Sequence, residues 1–387
     1  MKSKFLRWLV LLLPLFLLTP GPTPTLAAGD VQITFASNPP LSQIRPHGGP
    51  TGHIEPEEMF IEVKDAQGAL IPNVQIGLDI TAPETNWFIS TDVPRVEGVK
   101  LLHYHFVSAM GRQTFHYIFP IRGPYHITIQ ASPVTAGAFQ PTTQTLDVNI
   151  AEKESSLFAI TLFAGILFVF GLVSAFILMR SHRAARAAGS TSQTGARGAL
   201  VLVIGLVFVV GVWIAFLVHA ETADDMETAE NLAAAQLSQT ASASSASAKL
   251  ALSIQSPSAI TPSQPAILTG LLTDSNGAPI RNVHYEMSIV QIEDDKTVFA
   301  TGTDSLDGAF AWNNDFWDGS EHNLKIVASP TAGSNVQFEP VTLEHVVEVT
   351  ALAPPMRVKV LGLLYLSAVV ALGLVAGLML ARRRTLA

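Results

Sequence analysis

Apolar and polar residues follow two different patterns along this chain of 387 residues. Short runs alternate residue by residue and are separated by Gly, Pro and Asn, a pattern typical of strands joined by tight turns. Three other runs are continuously apolar and uncharged, at 157–179, 199–218 and 360–381. Each is long enough to cross a hydrocarbon core of about 30 Å as a helix. The patterns therefore predict β-domains and three transmembrane helices in one chain.

The alternating runs fall into two large segments of the chain, 29–153 and 250–352. Strands are predicted at 60–63, 74–80, 101–107, 114–119 and 125–130 in the first segment, and at 266–273, 283–292, 310–312, 324–327 and 341–349 in the second. Each segment is long enough to bury a core of its own. The predicted fold class is mainly β plus transmembrane α, with two β-sandwich domains.

A sequence repeat links the two segments. Residues 65–74 read Asp-Ala-Gln-Gly-Ala-Leu-Ile-Pro-Asn-Val, and residues 274–283 read Asp-Ser-Asn-Gly-Ala-Pro-Ile-Arg-Asn-Val. Further on, residues 126–133 match residues 323–330, and both stretches end in Ala-Ser-Pro. Two matches in the same order indicate a duplicated fold. The shared Asp-x-x-Gly favours a tight turn, because Asp caps the local backbone and Gly accepts a positive φ.

The N-terminus and the basic residues predict the topology. Basic residues precede a short apolar run, and Thr25-Leu26-Ala27 follows it, which is typical of a secretory signal peptide over 1–28. With the signal removed, three spans leave the Arg-rich loop 180–198 and the tail 382–387 in the cytoplasm, as the positive-inside rule requires. Both large segments are then extracytoplasmic. The predicted protein is a multi-pass protein of the bacterial plasma (inner) membrane.

The predicted spans carry no Asp, Glu, Lys or Arg, so ion or proton transport through them is not expected. Small residues at helical spacing, Gly211 with Ala215 and Gly373 with Gly377, would allow close packing between helices. The alternative is that glycine is simply common in membrane helices.

The piece between the second span and the second domain, 220–249, has a composition of its own. Its first part is rich in helix formers and acids, and residues 238–248 form a Ser/Ala tract. We predict an acidic helical stalk followed by a flexible linker. Such a linker would let the second domain move relative to the first.

Composition excludes several classes of function. The content of 48% hydrophobic and 14% charged residues, with a mean hydropathy of +0.36, is too apolar for one soluble domain. A formal net charge of -8 gives no basic surface for nucleic acid. The absence of cysteine excludes disulfides and thiol chemistry, and the sequence has no Gly-x-Ser-x-Gly or His-Glu-x-x-His motif. We therefore expect a protein that is not an enzyme.

Three motifs resemble known bacterial modules. The turn at 274–280, with Asp-x-x-Gly-x-Pro-Ile, and Thr-Asp-Ser-Leu-Asp-Gly-Ala-Phe at 303–310 resemble bacterial Ig-like and carboxypeptidase-regulatory-like modules. The stretch 119–129, Phe-Pro-Ile-Arg-Gly-Pro-Tyr-His-Ile-Thr-Ile, is similar to YtkA-like extracytoplasmic domains. The resemblance implies Ig-like β-sandwiches outside the membrane. Some YtkA-like domains occur beside copper-handling proteins, so it also suggests copper.

Histidine is the one residue type that suggests a site. Six of the eleven histidines lie in the first domain: His47, His53, His103, His105, His116 and His126. Strand alternation places His103 and His105 on the face of their strand opposite to the aromatic residues. If Met110 and Gly111 form a two-residue hairpin turn, His105 lies directly opposite His116. Four imidazoles, His126 included, would then share one outward face, with His47 and His53 on a loop beside it.

Two interpretations of these histidines stay open. Three or four imidazoles suit copper or zinc, and a nearby methionine would favour Cu(I). Alternatively, the histidines fill polar positions of a half-exposed sheet, and the protein is a structural or interaction module of the cell envelope without metal. A common face would favour metal, whereas opposite faces would favour interaction. The function predicted is a membrane-anchored extracytoplasmic binding or assembly protein that handles copper or contacts other envelope proteins.

A group of polar side chains in the second domain is weaker evidence for a binding site. Asp and Asn crowd one stretch, at Asp304, Asp307, Asn313, Asn314, Asp315 and Asp318. Oxygen-rich clusters can bind Ca²⁺, but the spacing of an EF-hand is missing. We interpret these residues as solvated loops.

Overall fold

The computed structural model describes residues 31–46, 57–86, 88–91, 93–135, 138–187, 238–256 and 259–383. The predicted signal peptide, the second predicted span and the acidic stalk lie outside these residues. The strands are β1 (Val31–Asn38), β2 (Glu57–Asp65), β3 (Val74–Thr81), β4 (Lys100–Ser108), β5 (Arg112–Tyr117), β6 (Gly123–Pro133), β7 (Thr142–Ile150), β8 (Ser238–Ser244), β9 (Ala248–Gln255), β10 (Ala266–Asp274), β11 (Val283–Gln291), β12 (Lys296–Ser305), β13 (Ala309–Asn314), β14 (Glu321–Pro330) and β15 (Val341–Glu348). The long helices are α1 (Glu154–Ala187) and α2 (Met356–Arg383).

The strands form two antiparallel sheets around a common core. One sheet has the order β1-β2-β5-β12-β11-β14-β15, and the other has the order β7-β6-β3-β4-β13-β10-β9-β8. Alternate residues of most strands are buried, because one face of each sheet is turned to the core. The buried side chains of both sheets form one hydrophobic cluster. All ten strands predicted from alternation are present, and the chain is mainly β with two long apolar helices.

The duplication visible in the sequence extends to the structure. We call β1–β7 the N-half and β8–β15 the C-half, and each half contributes strands to both sheets. Gly111 and Gly308 occupy equivalent turns, with φ of 75° and 81°. A Cβ on either glycine would overlap a carbonyl oxygen, that of Ile71 or that of Ile280. Because Ile71 and Ile280 are equivalent residues of the repeat, both halves have the same turn for the same steric reason.

The two halves join through both sheets. Strand β4 pairs with β13, and strand β5 pairs with β12, and we call these two pairings the seam. By the repeat, β4 corresponds to β12 and β5 to β13. Tyr104 pairs with Trp312 on one side, and their equivalents, Thr301 and Phe115, pair on the other. The seam is therefore one strand pairing made twice, related by an approximate two-fold axis.

The seam corrects the prediction of a flexible connection between two domains. Residues Ser238–Ser244, predicted as linker, form the edge strand β8, which pairs with β9 along its whole length. Alanine alternates with Ser, Thr and Gln in this tract, so Ala241 and Ala243 lie on one face and pack against the core. The tract contains neither Gly nor Pro to interrupt a strand. The C-half consequently does not move freely relative to the N-half.

Both helices leave the sheets at the same end, which we call the basal end. Strand β7 ends at Ile150 just before α1, and β15 ends at Glu348 just before α2. The segments Glu154–Arg180 and Met356–Ala381 are long and apolar enough to cross a membrane, with mean hydropathies of 2.6 and 2.4. These correspond to the first and third predicted spans.

The two helices pack closely and run parallel. Gly373 lies against Phe168 and Gly377 against Leu172, so residue numbers rise together along the contact. A Cβ on Gly373 would overlap the carbonyl oxygen of Phe168, as would one on Gly171 with that of Val370. Small residues therefore allow the close approach that the spacing of Gly373 and Gly377 predicts.

We expect Trp312→Ala to destabilise both halves together. Trp312 is 1% exposed, and its ring centroid lies 5.7 Å from that of Tyr104 across the seam. Loss of this side chain should cost about 3–5 kcal/mol of unfolding free energy. Hydrogen exchange followed by mass spectrometry on the full chain in detergent should show β4 and β13 losing protection to the same degree. Val346→Ala, at an exposed position of edge strand β15, is the matched control. Loss of protection confined to the C-half would show that the seam does not couple the halves.

Candidate functional site

The predicted histidine site is divided between the two outer faces of the structure. His103 and His105 lie on β4, and His126 lies on β6 of the same sheet, with side chains turned away from the core. His116 lies on β5 in the other sheet, where it also faces outward. His47 and His53 lie outside the described residues. The expectation of four imidazoles on one face is therefore wrong for His116.

The cause is the turn between β4 and β5. These strands do not form a hairpin, because the chain crosses from one sheet to the other between Ser108 and Arg112. Gly111 lies in this crossing with a positive φ. A side chain at this position would overlap the backbone of Ile71. His116 consequently pairs with Glu58 of β2 and not with His105.

The three histidines on the common face do not converge either. Strand β3 lies between β6 and β4, so His126 and His103 are about 12 Å apart at Cα, from strand spacings of about 4.8 Å and a rise of about 3.4 Å per residue. His126 Nδ1 lies 2.6 Å from Asp147 Oδ1 on β7, on the far side from β4. Within the described part of the chain, no group of three or more His, Asp and Glu side chains is arranged to hold a metal ion.

Two of the four described histidines, His103 and His126, have an aspartate partner. His103 pairs with Asp79, and His126 with Asp147, each directly across two antiparallel strands. The C-half repeats the arrangement with His284 and Asp304, whose Nδ1 and Oδ1 atoms lie 2.7 Å apart. The hydrogen bond that His284 donates to the Asp304 carboxylate raises the pKa of His284. Cross-strand His–Asp pairs are thus a general device of these outer faces.

Among the described histidines of the predicted set, His103 and His105 have their rings in contact. Their ring centroids are 4.9 Å apart, edge to face. The ring of His105 lies over Gly77, where a Cβ would come within 3.2 Å of it. Burial, together with His103, lowers the pKa of His105. Burial raises the pKa of Asp79, but its hydrogen bonds with His103 and Lys100 outweigh this and lower it overall.

A cleft opens beside this pair, at the seam. Strands β4 and β13 pair only over 102–104 and 312–314 and then diverge towards the end opposite the basal end. The resulting seam cleft has a volume of about 690 Å³. Its lining includes His105, Thr303, Asp304, Asp307, Phe310 and Ala311. Both halves therefore contribute to one concave surface that carries imidazole, carboxylate and aromatic groups.

Two carboxylates are buried near the basal end. Glu57 is 2% exposed, and neither carboxylate oxygen has a hydrogen-bond partner. Asp315 is 3% exposed, with Oδ1 accepting from the Ser263 N–H at 3.0 Å and Oδ2 unpartnered. Burial raises the pKa of each to about 7.

The sequence contained a signal for one of these acids. Glu57 has the parity of Met59, Ile61 and Val63, so alternation alone places it on the buried face of β2. The solvated-loop interpretation is wrong for Asn314, which is buried at the end of β13, and equally wrong for the buried Asp315. Asp315 follows directly after β13, and its N–H bonds the Leu101 carbonyl at 2.9 Å, which fixes it beside the seam.

Arginines join the sheets to α2 at the basal end. Arg357, in the first turn of α2, donates to the Asn86 carbonyl at 3.0 Å and lies 3.7 Å from Glu97. Arg95 donates twice to the Ala353 carbonyl, at 3.0 and 3.1 Å. We call these the basal contacts. They link the loop between β3 and β4 to the start of α2, a link that no motif in the sequence indicated.

The protein is mainly β, with two antiparallel sheets, a seam cleft and two long apolar helices. No family model and no curated protein matches this sequence. Among solved structures, it is similar to the native conformation of E. coli alpha-2-macroglobulin, at 11% sequence identity and a TM-score of 0.22. The similarity covers 84% of this chain and 14% of that one. A TM-score this low does not establish a common fold.

We expect Glu57→Gln to stabilise the protein at neutral pH and not in acid. Because burial raises the pKa of Glu57 from its ordinary 4.5 to about 7 in the folded state, ionisation of Glu57 removes stability as pH rises between these values. The variant should therefore match wild type near pH 4.5 and gain about 3 kcal/mol above pH 8. Thermal unfolding in detergent across this range measures the difference. Glu58→Gln, on the outer face of β2, should show no such gain. Equal pH profiles for wild type and Glu57→Gln would contradict the buried charge.

Proposed function

We propose that this chain is a membrane-anchored extracytoplasmic protein that binds or assembles with other components of the bacterial cell envelope. In this proposal the N-half and the C-half are two fused Ig-like β-sandwiches, and three helices cross the membrane. The seam cleft is the binding surface. No catalysis is assigned to it.

The parallel helices support three crossings. Both leave the basal end in the same direction, and the C-half lies on the same side as the N-half because the two halves share their sheets. A chain that follows α1 out of the basal end has to return before β8 begins. The uncharged run 199–218 is long enough to make that return. In this topology the arginines of 180–198 and 382–387 lie in the cytoplasm, as the positive-inside rule favours, and both halves lie outside.

The basal contacts are the observation that carries the proposal. An anchored domain on a loose tether needs no fixed contact with its helix, whereas here Arg95 and Arg357 connect the β3–β4 loop to the start of α2. Together with the seam, they hold the sheets at one orientation relative to the helices. A fixed orientation presents the seam cleft at a constant height above the membrane, which suits assembly with a neighbouring envelope protein.

The histidines favour interaction over a four-histidine copper site. They occupy opposite faces, and two of the four are paired with aspartates across strands. Copper handling is nevertheless a second candidate, supported by the contact between His103 and His105. His103 Nδ1 hydrogen-bonds to the Asp79 carboxylate, and in metal sites a carboxylate bonded to one ring nitrogen orients the histidine so that the other nitrogen can bind the metal.

Cysteine labelling tests sidedness and the cleft together, because the chain has no native cysteine. We expect Met110→Cys, at the end opposite the basal end, to react with an impermeant maleimide in intact cells. Ala387→Cys should react only after permeabilisation. Ala311→Cys, in the seam cleft, should react more slowly in cells than after purification, because a partner covers it there. Thr342→Cys on the other sheet is the matched control and should react equally in both.

Each outcome of this labelling is decisive for one part of the proposal. Protection of Met110→Cys until permeabilisation would reverse the sidedness. Equal rates for Ala311→Cys in cells and after purification would remove the cleft as the binding surface.

Copper titration of the full chain in detergent separates the second candidate from the first. The isolated N-half is unsuitable, since its β4 and β5 edges lose their partners. We expect any Cu(II) bound to be lost in the double variant His103→Ala/His105→Ala and kept in His116→Ala/His126→Ala, since only the first pair is in contact. Binding that requires all four histidines would contradict the positions described above.

A further inference from the structure

The loop between β3 and β4 exposes two large apolar side chains at the basal end. Phe88 is 66% exposed and Ile89 is 57% exposed. In the same half, Tyr104, Phe106 and Phe115 are completely buried. Two adjacent exposed apolar residues at the end from which the helices leave call for a functional explanation.

The loop tip lies beside α2, past the start of its apolar run. The Tyr365 hydroxyl donates a hydrogen bond to the Phe88 carbonyl. Tyr365 follows Val360, the first residue of the uncharged run, by five positions, or about 7.5 Å along the helix. Because helical side chains lean towards the N-terminus, the hydroxyl lies somewhat nearer the start of the run than this. The Phe88 backbone is thus level with the boundary between lipid headgroups and acyl chains.

Backbone groups at the tip have the partners that a bilayer requires. The N–H groups of Phe88 and Ile89 both donate to Asn86 Oδ1, at 2.9 and 3.3 Å. The Phe88 carbonyl accepts from Tyr365. Irregular backbone at membrane depth is costly unless its polar groups are satisfied internally. This tip satisfies three of them while turning both apolar side chains outward.

The rest of the loop is held firmly to the sheets. Glu97 Oε1 accepts from Ser90 Oγ at 3.1 Å and from the N–H and hydroxyl of Thr91, at 2.7 and 2.9 Å. Arg122 donates to the Ser90 carbonyl at 3.1 Å. These hydrogen bonds hold the loop at the basal end, where Phe88 and Ile89 are more than half exposed.

We propose that Phe88 and Ile89 insert into the outer leaflet and contact lipid at the headgroup–acyl boundary. The inference rests on the proposed membrane anchoring by α1 and α2. The inserted tip is an attachment point of the sheets to the bilayer in addition to the helices. Because it belongs to the N-half and is fixed to β4 through Glu97, it sets the tilt of the whole body against the membrane surface.

Single-cysteine fluorescence in liposomes tests the insertion. Phe88→Cys and Ile89→Cys are labelled with an environment-sensitive nitrobenzoxadiazole dye in the full chain, reconstituted in phosphatidylcholine vesicles that contain lipids brominated near the headgroup. Met110→Cys, 75% exposed at the opposite end of the same half, is the control for water. Leu372→Cys, 63% exposed in the middle of α2, is the control for lipid. We expect blue-shifted emission and quenching by the brominated lipids at positions 88 and 89, and neither effect at position 110.

The controls keep the two proposals distinguishable. If position 372 reports lipid while positions 88 and 89 behave like position 110, the helix is in the bilayer and the insertion of the loop is wrong. If position 372 also reports water, membrane anchoring itself is wrong. Wild-type unfolding temperature in each labelled variant establishes that the dye has not disturbed the fold.

Discussion

Backbone hydrogen bonding across the seam is the interaction on which the rest of this structure depends. Each side consists of only three residue pairs, so strand pairing alone supplies a short contact. Packing of Trp312 and Phe299 against Tyr104, with ring centroids 5.7 and 6.0 Å away, fills the core beneath it. The backbone N–H and C=O groups of β4 and β5 are satisfied by β13 and β12. These four strands would otherwise be open sheet edges, and they lie in the middle of the two sheets instead. The seam cleft and the fixed position of the basal contacts both follow from this arrangement.

Local pattern predicted the elements well and their assembly poorly. Alternation located β2, β3, β4 and β6, because each has one face in the core. It did not predict β1, β7, β8, β9 or β12. In β8, small polar residues and alanine alternate without large apolar side chains. The repeat indicates two copies of one fold, but nothing local in it states that edge strands of the two copies pair with each other. Seam pairing depends on residues about 200 positions apart, and short-range periodicity contains no such information.

The same distinction explains what could be known of the site. Alternation correctly predicts that four histidine side chains face away from the core: His103, His105, His116 and His126. It does not indicate which sheet each strand joins, so it predicts a hairpin between β4 and β5, where the chain crosses from one sheet to the other. Alternation along β2 indicates that Glu57 faces the core. The burial of Asp315 depends on the seam and has no local signal. Arg95 and Arg357 acquire their roles only when the β3–β4 loop meets the start of α2.

The pairing of the two halves at the seam also imposes an order on biosynthesis. Lys296, the first residue of β12, follows Tyr117, the last residue of β5, by 179 positions. At typical translation rates of 5–20 residues per second, the N-half emerges about 10 to 40 s before its partners. During that interval β4 and β5 are unpaired edges, able to recruit strands from another nascent chain. A second nascent chain presents the same edges, so β12 and β13 of one copy fit β5 and β4 of another, and pairing between copies would join two chains at the seam.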